Sequence, residues 1–152
     1  MLGARFFIDS NVLLYARDQE LTAKCAAATD WLAQLTSADV ARANVQVLNE
    51  VTNVLLRKRR DLAAEEIFEQ VDALSYLGST TISVTTVVIA RAIRLRTSYS
   101  WWDCLLLASA IELGCTHFLS EDLQDGQRIE IGSQALTIVD PFAHTPDQVV
   151  SG

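Results

Sequence analysis

The sequence predicts an α/β fold, a three-layer α/β/α sandwich with a mainly parallel central sheet. Three observations predict it. The uninterrupted apolar run Phe6-Phe7-Ile8 stops at Asp9 and leads directly into a second apolar segment with helical spacing, which is how a strand buried on both faces reads. Short apolar runs recur at His117-Phe118-Leu119-Ser120 and at Leu136-Thr137-Ile138-Val139. Between these runs lie long stretches of helical periodicity, and that alternation builds a parallel sheet covered on both faces.

Taken in order, the spacing predicts a short helix over residues 11–17. A second, amphipathic helix spans residues 22–35, with Cys25, Ala28, Trp31, Leu32 and Leu35 at core-facing positions. Val40-Ala41-Arg42-Ala43 reads as a second strand. From Val45 the stripe Val47, Leu48, Val51, Val54, Leu55 is helical and ends in the basic run Arg57-Lys58-Arg59-Arg60. A helix over residues 62–77 follows, with Gly78 as its stop. Thr81-Ile82-Ser83-Val84 alternates like a strand and leads into a helix over residues 86–96. Ser100 opens the most apolar helix, closed by Gly114. A polar loop, Glu121 to Gly126, follows the 117–120 strand, and Asp140-Pro141 ends the last strand. Residues 1–142 read as a single domain and residues 143–152 as a loosely ordered tail.

The composition excludes several classes. No run approaches the roughly 18–20 apolar residues that cross a bilayer, and the first residues lack the pattern of a signal peptide. Cys25, Cys104 and Cys115 are odd in number and set in apolar contexts, so they read as small buried hydrophobes of a reducing, cytoplasmic protein. The net charge of −7 and the isoelectric point near 4.7 oppose nucleic-acid binding by bulk electrostatics. They leave room for a nucleic-acid enzyme whose carboxylates hold cations.

Four acids need explaining. Asp9 and Asp122 follow strands; Glu50 and Asp103 sit near helix starts. In a parallel sheet those ends share one edge, where open α/β folds place ligands. Each acid has an ordinary structural role open to it. Asp9 or Ser10 can cap the next helix, Glu50 can be a solvated helix residue, and Asp103 stands at capping-box spacing from Ser100. Asp122 and Asp125 can be plain loop acids. Together, four converging carboxylates repel unless cations lie between them, and all-oxygen ligands suit Mg²⁺ or Mn²⁺. Such cations support in-line phosphoryl displacement by an activated water. His117 and His144 read as structural or exposed residues.

With these pieces in place the sequence resembles the PIN-domain nucleases, specifically the VapC-like toxins of type II toxin–antitoxin pairs. The resemblance rests on Phe7-Ile8-Asp9-Ser10-Asn11-Val12-Leu13-Leu14-Tyr15-Ala16, Gln46-Val47-Leu48-Asn49-Glu50, Tyr99-Ser100-Trp101-Trp102-Asp103 and Leu119-Ser120-Glu121-Asp122-Leu123-Gln124-Asp125-Gly126, in that order along nearly the whole chain. It implies a metal-dependent endoribonuclease, held inactive by a cognate antitoxin and often dimeric. It also implies that Asp9, Glu50, Asp103 and Asp122 bind Mg²⁺ or Mn²⁺ with Asp125 assisting, and that Ser10, Asn11 and Ser120 orient ligands or water. Arg57, Lys58, Arg59 and Arg60 read first as a solvated helix end that complements the dipole, and second as a lining that holds RNA phosphates. The Trp101-Trp102 pair reads as core and dimer packing, with base stacking as its alternative.

Rival readings remain open at this point. A haloacid-dehalogenase-like phosphatase would want a second acid where Asn11 stands. A receiver-like module would want a late lysine, and the last lysine here is Lys58. A non-catalytic interaction domain would leave the acids apart.

Overall fold

A computed structural model describes residues 3–150. Its five strands form one sheet in the order β2-β1-β3-β5-β4. They are β1 (Phe6–Ile8), β2 (Ala41–Arg42), β3 (His117–Leu119), β4 (Arg128–Ile131) and β5 (Gln134–Val139). Strands β2, β1, β3 and β5 run parallel, and β4 pairs antiparallel with β5. The described residues also form seven α-helices: α1 (Ser10–Tyr15), α2 (Thr22–Ser37), α3 (Val45–Lys58), α4 (Ala64–Asp72), α5 (Val84–Arg96), α6 (Trp101–Glu112) and α7 (Pro146–Val150). The fold is the predicted α/β arrangement.

The core explains the order. All three residues of β1 are fully buried, as a central parallel strand with neighbours on both sides must be. Parallel register sets Phe6 beside His117 and Phe7 beside Phe118. These cross-strand pairs stack, with ring centroids 4.6 and 5.3 Å apart. Helix α6 is buried without interruption from Cys104 to Ile111, which accounts for its apolar sequence on every face. The three cysteines are free thiols, and burial pushes Cys115 up to about 12.

Four expectations need correction. Thr81–Val84 forms no strand; Ser83 instead caps α5 in a reciprocal capping box with Thr86. Ile82 and Val87 flank that cap, both packed against the core, so what looked like strand alternation is the apolar staple of a helix start. The helix expected over residues 62–77 is α4 followed by a tight 3-10 turn at Ser75–Leu77, which seats Leu77 in the core. The hairpin strand β4 was not foreseen. It turns through Gly132-Ser133, where Gly132 has φ of +60°, the positive φ that a two-residue hairpin demands. Trp101 and Trp102 are not core residues: they are 37% and 62% exposed, because the first turn of α6 stands outside the buried stretch.

The segment after Phe142, expected to be a loose tail, carries α7 and is gripped by a buried side chain. Trp31 of α2 donates its indole N–H to the carbonyls of Pro141 and His144, at 2.9 and 3.1 Å. Residues 151 and 152 of that segment lie outside the described residues.

Gly78 shows how tightly the helices are joined to the sheet. Its φ is +151°, and a Cβ there would stand 2.2 Å from the Ala43 carbonyl oxygen. Ala43 in turn donates its N–H to Leu77. Backbone strain and overpacking would therefore add in Gly78→Ala, destabilising the protein by about 2–4 kcal/mol. Urea unfolding measures this directly; a midpoint unchanged from wild type would contradict the close approach.

Candidate active site

The site begins at the carboxyl end of β1. Parallel pairing brings Ile8 beside Leu119, so the residues that follow, Asp9 and Ser120, emerge together. Asp9 is 5% exposed. Its backbone is extended and its side chain accepts the Ser10 N–H at 2.8 Å, which caps α1. The other carboxylate oxygen accepts from the Ser120 hydroxyl at 2.7 Å and from the Asn11 amide at 3.3 Å. Asp9 thus caps α1 while its other oxygen is held by Ser120 and Asn11.

Asn11 is the hub. Its Nδ2 lies 3.1 Å from Ser120 Oγ and 3.1 Å from an Asp122 carboxylate oxygen, besides Asp9. Its Oδ1 accepts the Glu121 N–H at 3.3 Å. One amide therefore ties α1 to the loop after β3 and aligns two carboxylates. Ser120 is fully buried, and its hydroxyl oxygen accepts the Asp122 N–H at 3.2 Å. On the other side, the Ser10 hydroxyl donates to Glu50 at 3.0 Å. Glu50 projects from α3 one position before the buried Val51, so the amphipathic stripe that seats this helix also turns Glu50 to the sheet edge.

Asp103 enters from α6. Ser100 caps that helix through the Asp103 N–H at 3.1 Å, which uses the backbone of Asp103 and leaves its carboxylate outside the cap. That carboxylate and Glu50 both act on Asp9 by charge. A tie unforeseen in the sequence fixes α3 against α6: buried Asn44 caps α3 through Val47 N–H and donates 3.0 Å to Ser109 Oγ. An asparagine three residues before an apolar helical run was the signal available for its capping half.

Asp125 is placed differently. Its two oxygens face the Asp140 N–H at 2.9 Å and His144 Nε2 at 2.7 Å, and none of these contacts involves Asp9, Glu50, Asp103 or Asp122. Of the basic run, Lys58 and Arg59 line a cleft of about 940 Å³ that also takes in Asn11 and Asp122. Arg59 makes a two-pronged ion pair with Asp61, while Arg57 and Arg60 are exposed and outside the lining. Arg17, also in this lining, donates to the Gln70 carbonyl. Burial lowers its pKa from the ordinary value.

A model of the PIN domain family matches residues 6–126. The chain belongs to the PIN domain family. Solved structures share its fold. VapBC2 from Rickettsia felis, bound to a promoter DNA fragment, is 13% identical with a TM-score of 0.62, covering 89% of this chain and 98% of that chain. VapC20 of Mycobacterium tuberculosis, a sarcin–ricin-loop-cleaving toxin, is 16% identical with a TM-score of 0.54, over 74% and 86% of the two chains. VapBC-1 from nontypeable Haemophilus influenzae is 10% identical with a TM-score of 0.55, over 77% and 86%. At these identities the likeness is one of fold. No curated protein matches the chain in sequence.

The donor chemistry of this PIN domain suits a hard divalent cation. Every candidate donor is a carboxylate oxygen, and among the described residues no cation pairs with Asp9. No three acids or histidines among the described residues stand close enough to hold an ion as placed. Asp9, Glu50 and Asp122 are linked instead through Ser10, Asn11 and Ser120.

Asp9 carries the electrostatic cost. Burial, with Glu50 and Asp103 adding, raises its pKa from 3.8 to about 7 despite the bonds from Ser120 and Ser10. Between about pH 4 and 7 the folded chain holds a proton on Asp9 that the unfolded chain has released. Stability of the metal-free protein therefore falls as pH rises through that window, and levels off above it. Asp9→Asn should flatten this slope, which urea unfolding at pH 5 and pH 7.5 in EDTA would read. A variant with the wild-type slope would assign the effect to other groups.

Proposed function

We propose that this PIN domain is a metal-dependent endoribonuclease, the toxin of a toxin–antitoxin pair. The observation that carries the reading is Asp9: buried at the end of a central strand, unpaired with any cation among the described residues, and coupled by charge to Glu50 and Asp103. Once ionised, an acid so placed lacks a counter-charge within the chain, and a bound cation would supply it. VapC20, which shares the fold, is a toxin that cleaves the sarcin–ricin loop, and this supports RNA as the substrate. The VapBC neighbours support a cognate antitoxin as partner. The exposed apolar residues Val84, Val88 and Leu95 of α5 give a homodimer a surface to use.

Asp9, Glu50, Asp103 and Asp122 would hold Mg²⁺ or Mn²⁺. When bound, the ion supplies charge neutralisation at the scissile phosphate and an acidified water. The chain does the positioning. Asn11 sets the spacing of Asp9 and Asp122, Ser10 orients Glu50, and Ser120 keeps Asp9 from turning away. In the adjoining cleft Asp18, Glu20, Asp61, Glu121 and Asp122 outnumber Arg17, Lys58 and Arg59. RNA phosphates therefore rely on the bound cation and on Lys58, whose charge has no carboxylate partner among the described residues.

A phosphatase of the haloacid-dehalogenase type finds no support in the site. The position where it needs a second acid is Asn11, and that amide is already committed to Asp9, Ser120 and Asp122.

The test is cleavage of a structured RNA mixture with Mn²⁺, beside an EDTA control and beside Asp103→Asn. Both controls should lose about 100-fold or more of the rate, while Asp103→Asn keeps the wild-type melting temperature because its carboxylate is outside the α6 cap. Cleavage that persists in Asp103→Asn would overturn the assignment of the site.

A further inference from the structure

The loop between β3 and β4 holds three acids, and they do not point the same way. Asp122 reaches Asn11 within the site. The acids on either side of it are turned to other partners. Glu121 forms an ion pair with Lys24 of α2, and the Lys24 ammonium sits 4.7 Å from the Tyr15 ring centre and 5.1 Å from that of Phe142. Those rings meet edge to face at 5.1 Å. Asp125 accepts the Asp140 N–H with one oxygen and faces His144 with the other. Asp140 in turn accepts the Phe142 N–H at 2.8 Å.

Asp125 thus ends directly on residues 140–144, and Glu121 reaches that stretch only through Lys24, whose ammonium stands over the Phe142 ring. That stretch is itself anchored, because Trp31 holds the Pro141 and His144 carbonyls. The loop is also held by β5 and Tyr99: the Ser120 N–H bonds the Val139 carbonyl, the Gly126 N–H bonds the Ile138 carbonyl, the Ile138 N–H bonds the Gln127 carbonyl, the Tyr99 hydroxyl meets Gln124 N–H and Gln127, and Leu123 is buried. The backbone that presents Asp122 is therefore fixed on one side by Asn11 and Ser120, and on the other by Tyr99, by β5 and by the segment that follows β5.

We propose that Asp125 is a positioning residue, one half of a clasp with His144 by which the C-terminal segment holds the Asp122 loop in its metal-binding position. Asp125 contributes no oxygen to the ion. This rests on the metal-dependent reading above and assigns a task to a segment outside the four acids. Hydrogen bonding, not charge, is what the clasp needs. An asparagine at 125 can still accept from Asp140 N–H and present its amide to His144, whereas an asparagine in place of a metal-ligating carboxylate cannot replace the charge.

That difference is the test. Mn²⁺ binding to the full chain is followed by electron paramagnetic resonance for wild type, Asp122→Asn, Asp125→Asn, Asp125→Ala and His144→Ala, with far-UV circular dichroism melts on each. Asp125→Ala and His144→Ala should each weaken Mn²⁺ about tenfold, the effect expected when the support of a ligand is lost. Asp125→Asn should stay within about twofold of wild type, and Asp122→Asn should lose more than any of them. Asp125→Asn falling as far as Asp122→Asn would make Asp125 a ligand and overturn the proposal. Wild-type affinity in both Asp125→Ala and His144→Ala would overturn it too, leaving the clasp a matter of stability. His144→Ala keeps the test decisive if Asp125→Ala fails to fold. Wild-type protein that binds no Mn²⁺ would overturn the metal reading and the clasp's role together, whereas the other two outcomes sink the clasp alone.

Discussion

A carboxylate at the buried end of the central strand is the constraint around which this protein is built. β1 is flanked by β2 and β3, so the residue that follows it leaves the sheet between two neighbours, and Asp9 is buried there, where an unpaired charge is costly. The chain answers with donors. The start of α1 supplies the Ser10 N–H and the Asn11 amide, and the end of β3 supplies the Ser120 hydroxyl. These bonds offset part of the cost of burial, and the raised pKa of Asp9 shows that they do not offset all of it. The shortfall is the energy that the proposed cation would offset.

The other acids come from elements distant in sequence, and their convergence depends on how the helices are fastened. Glu50 rides on α3 and Asp103 on α6, two helices linked by the buried Asn44–Ser109 bond. An unsatisfied amide at that depth would cost about 1–3 kcal/mol, so the two helices hold a fixed relation. The close contact of Gly78 with Ala43 pins the strand-to-helix passage just before Asn44. Carboxylates that repel one another are thereby kept near by packing that has nothing to do with charge.

Much of this was legible in the sequence because it is local. Phe6-Phe7-Ile8-Asp9 shows both the buried strand and the acid at its end, and the stripe from Val47 to Leu55 shows which way Glu50 must face. What escaped was of two kinds. Ser83 lies in a four-residue alternation that suits a strand and a capped helix start equally well, and the reciprocal bond with Thr86 decided it. Asp125 lies three residues from Asp122, and sequence proximity suggested a shared role. Its partners are Asp140 and His144, which come from the segment after β5, a neighbouring strand far away in sequence, and no local pattern announces them. The same holds for Trp31, whose place on a core-facing stripe was plain and whose grip on Pro141 and His144 was not.

The two borders of the sheet have a consequence of their own. β2, at one border, is only two residues long. β4, at the other, turns Arg128 and Glu130 outward as an ion pair, and Arg96 of α5 donates to the Glu130 carbonyl. Short edges and outward charges are the devices that stop sheets from zipping together. Edges of this kind disfavour strand addition by an incoming polypeptide. The fold thus favours partners that read side chains on its helical surface over partners that extend its sheet.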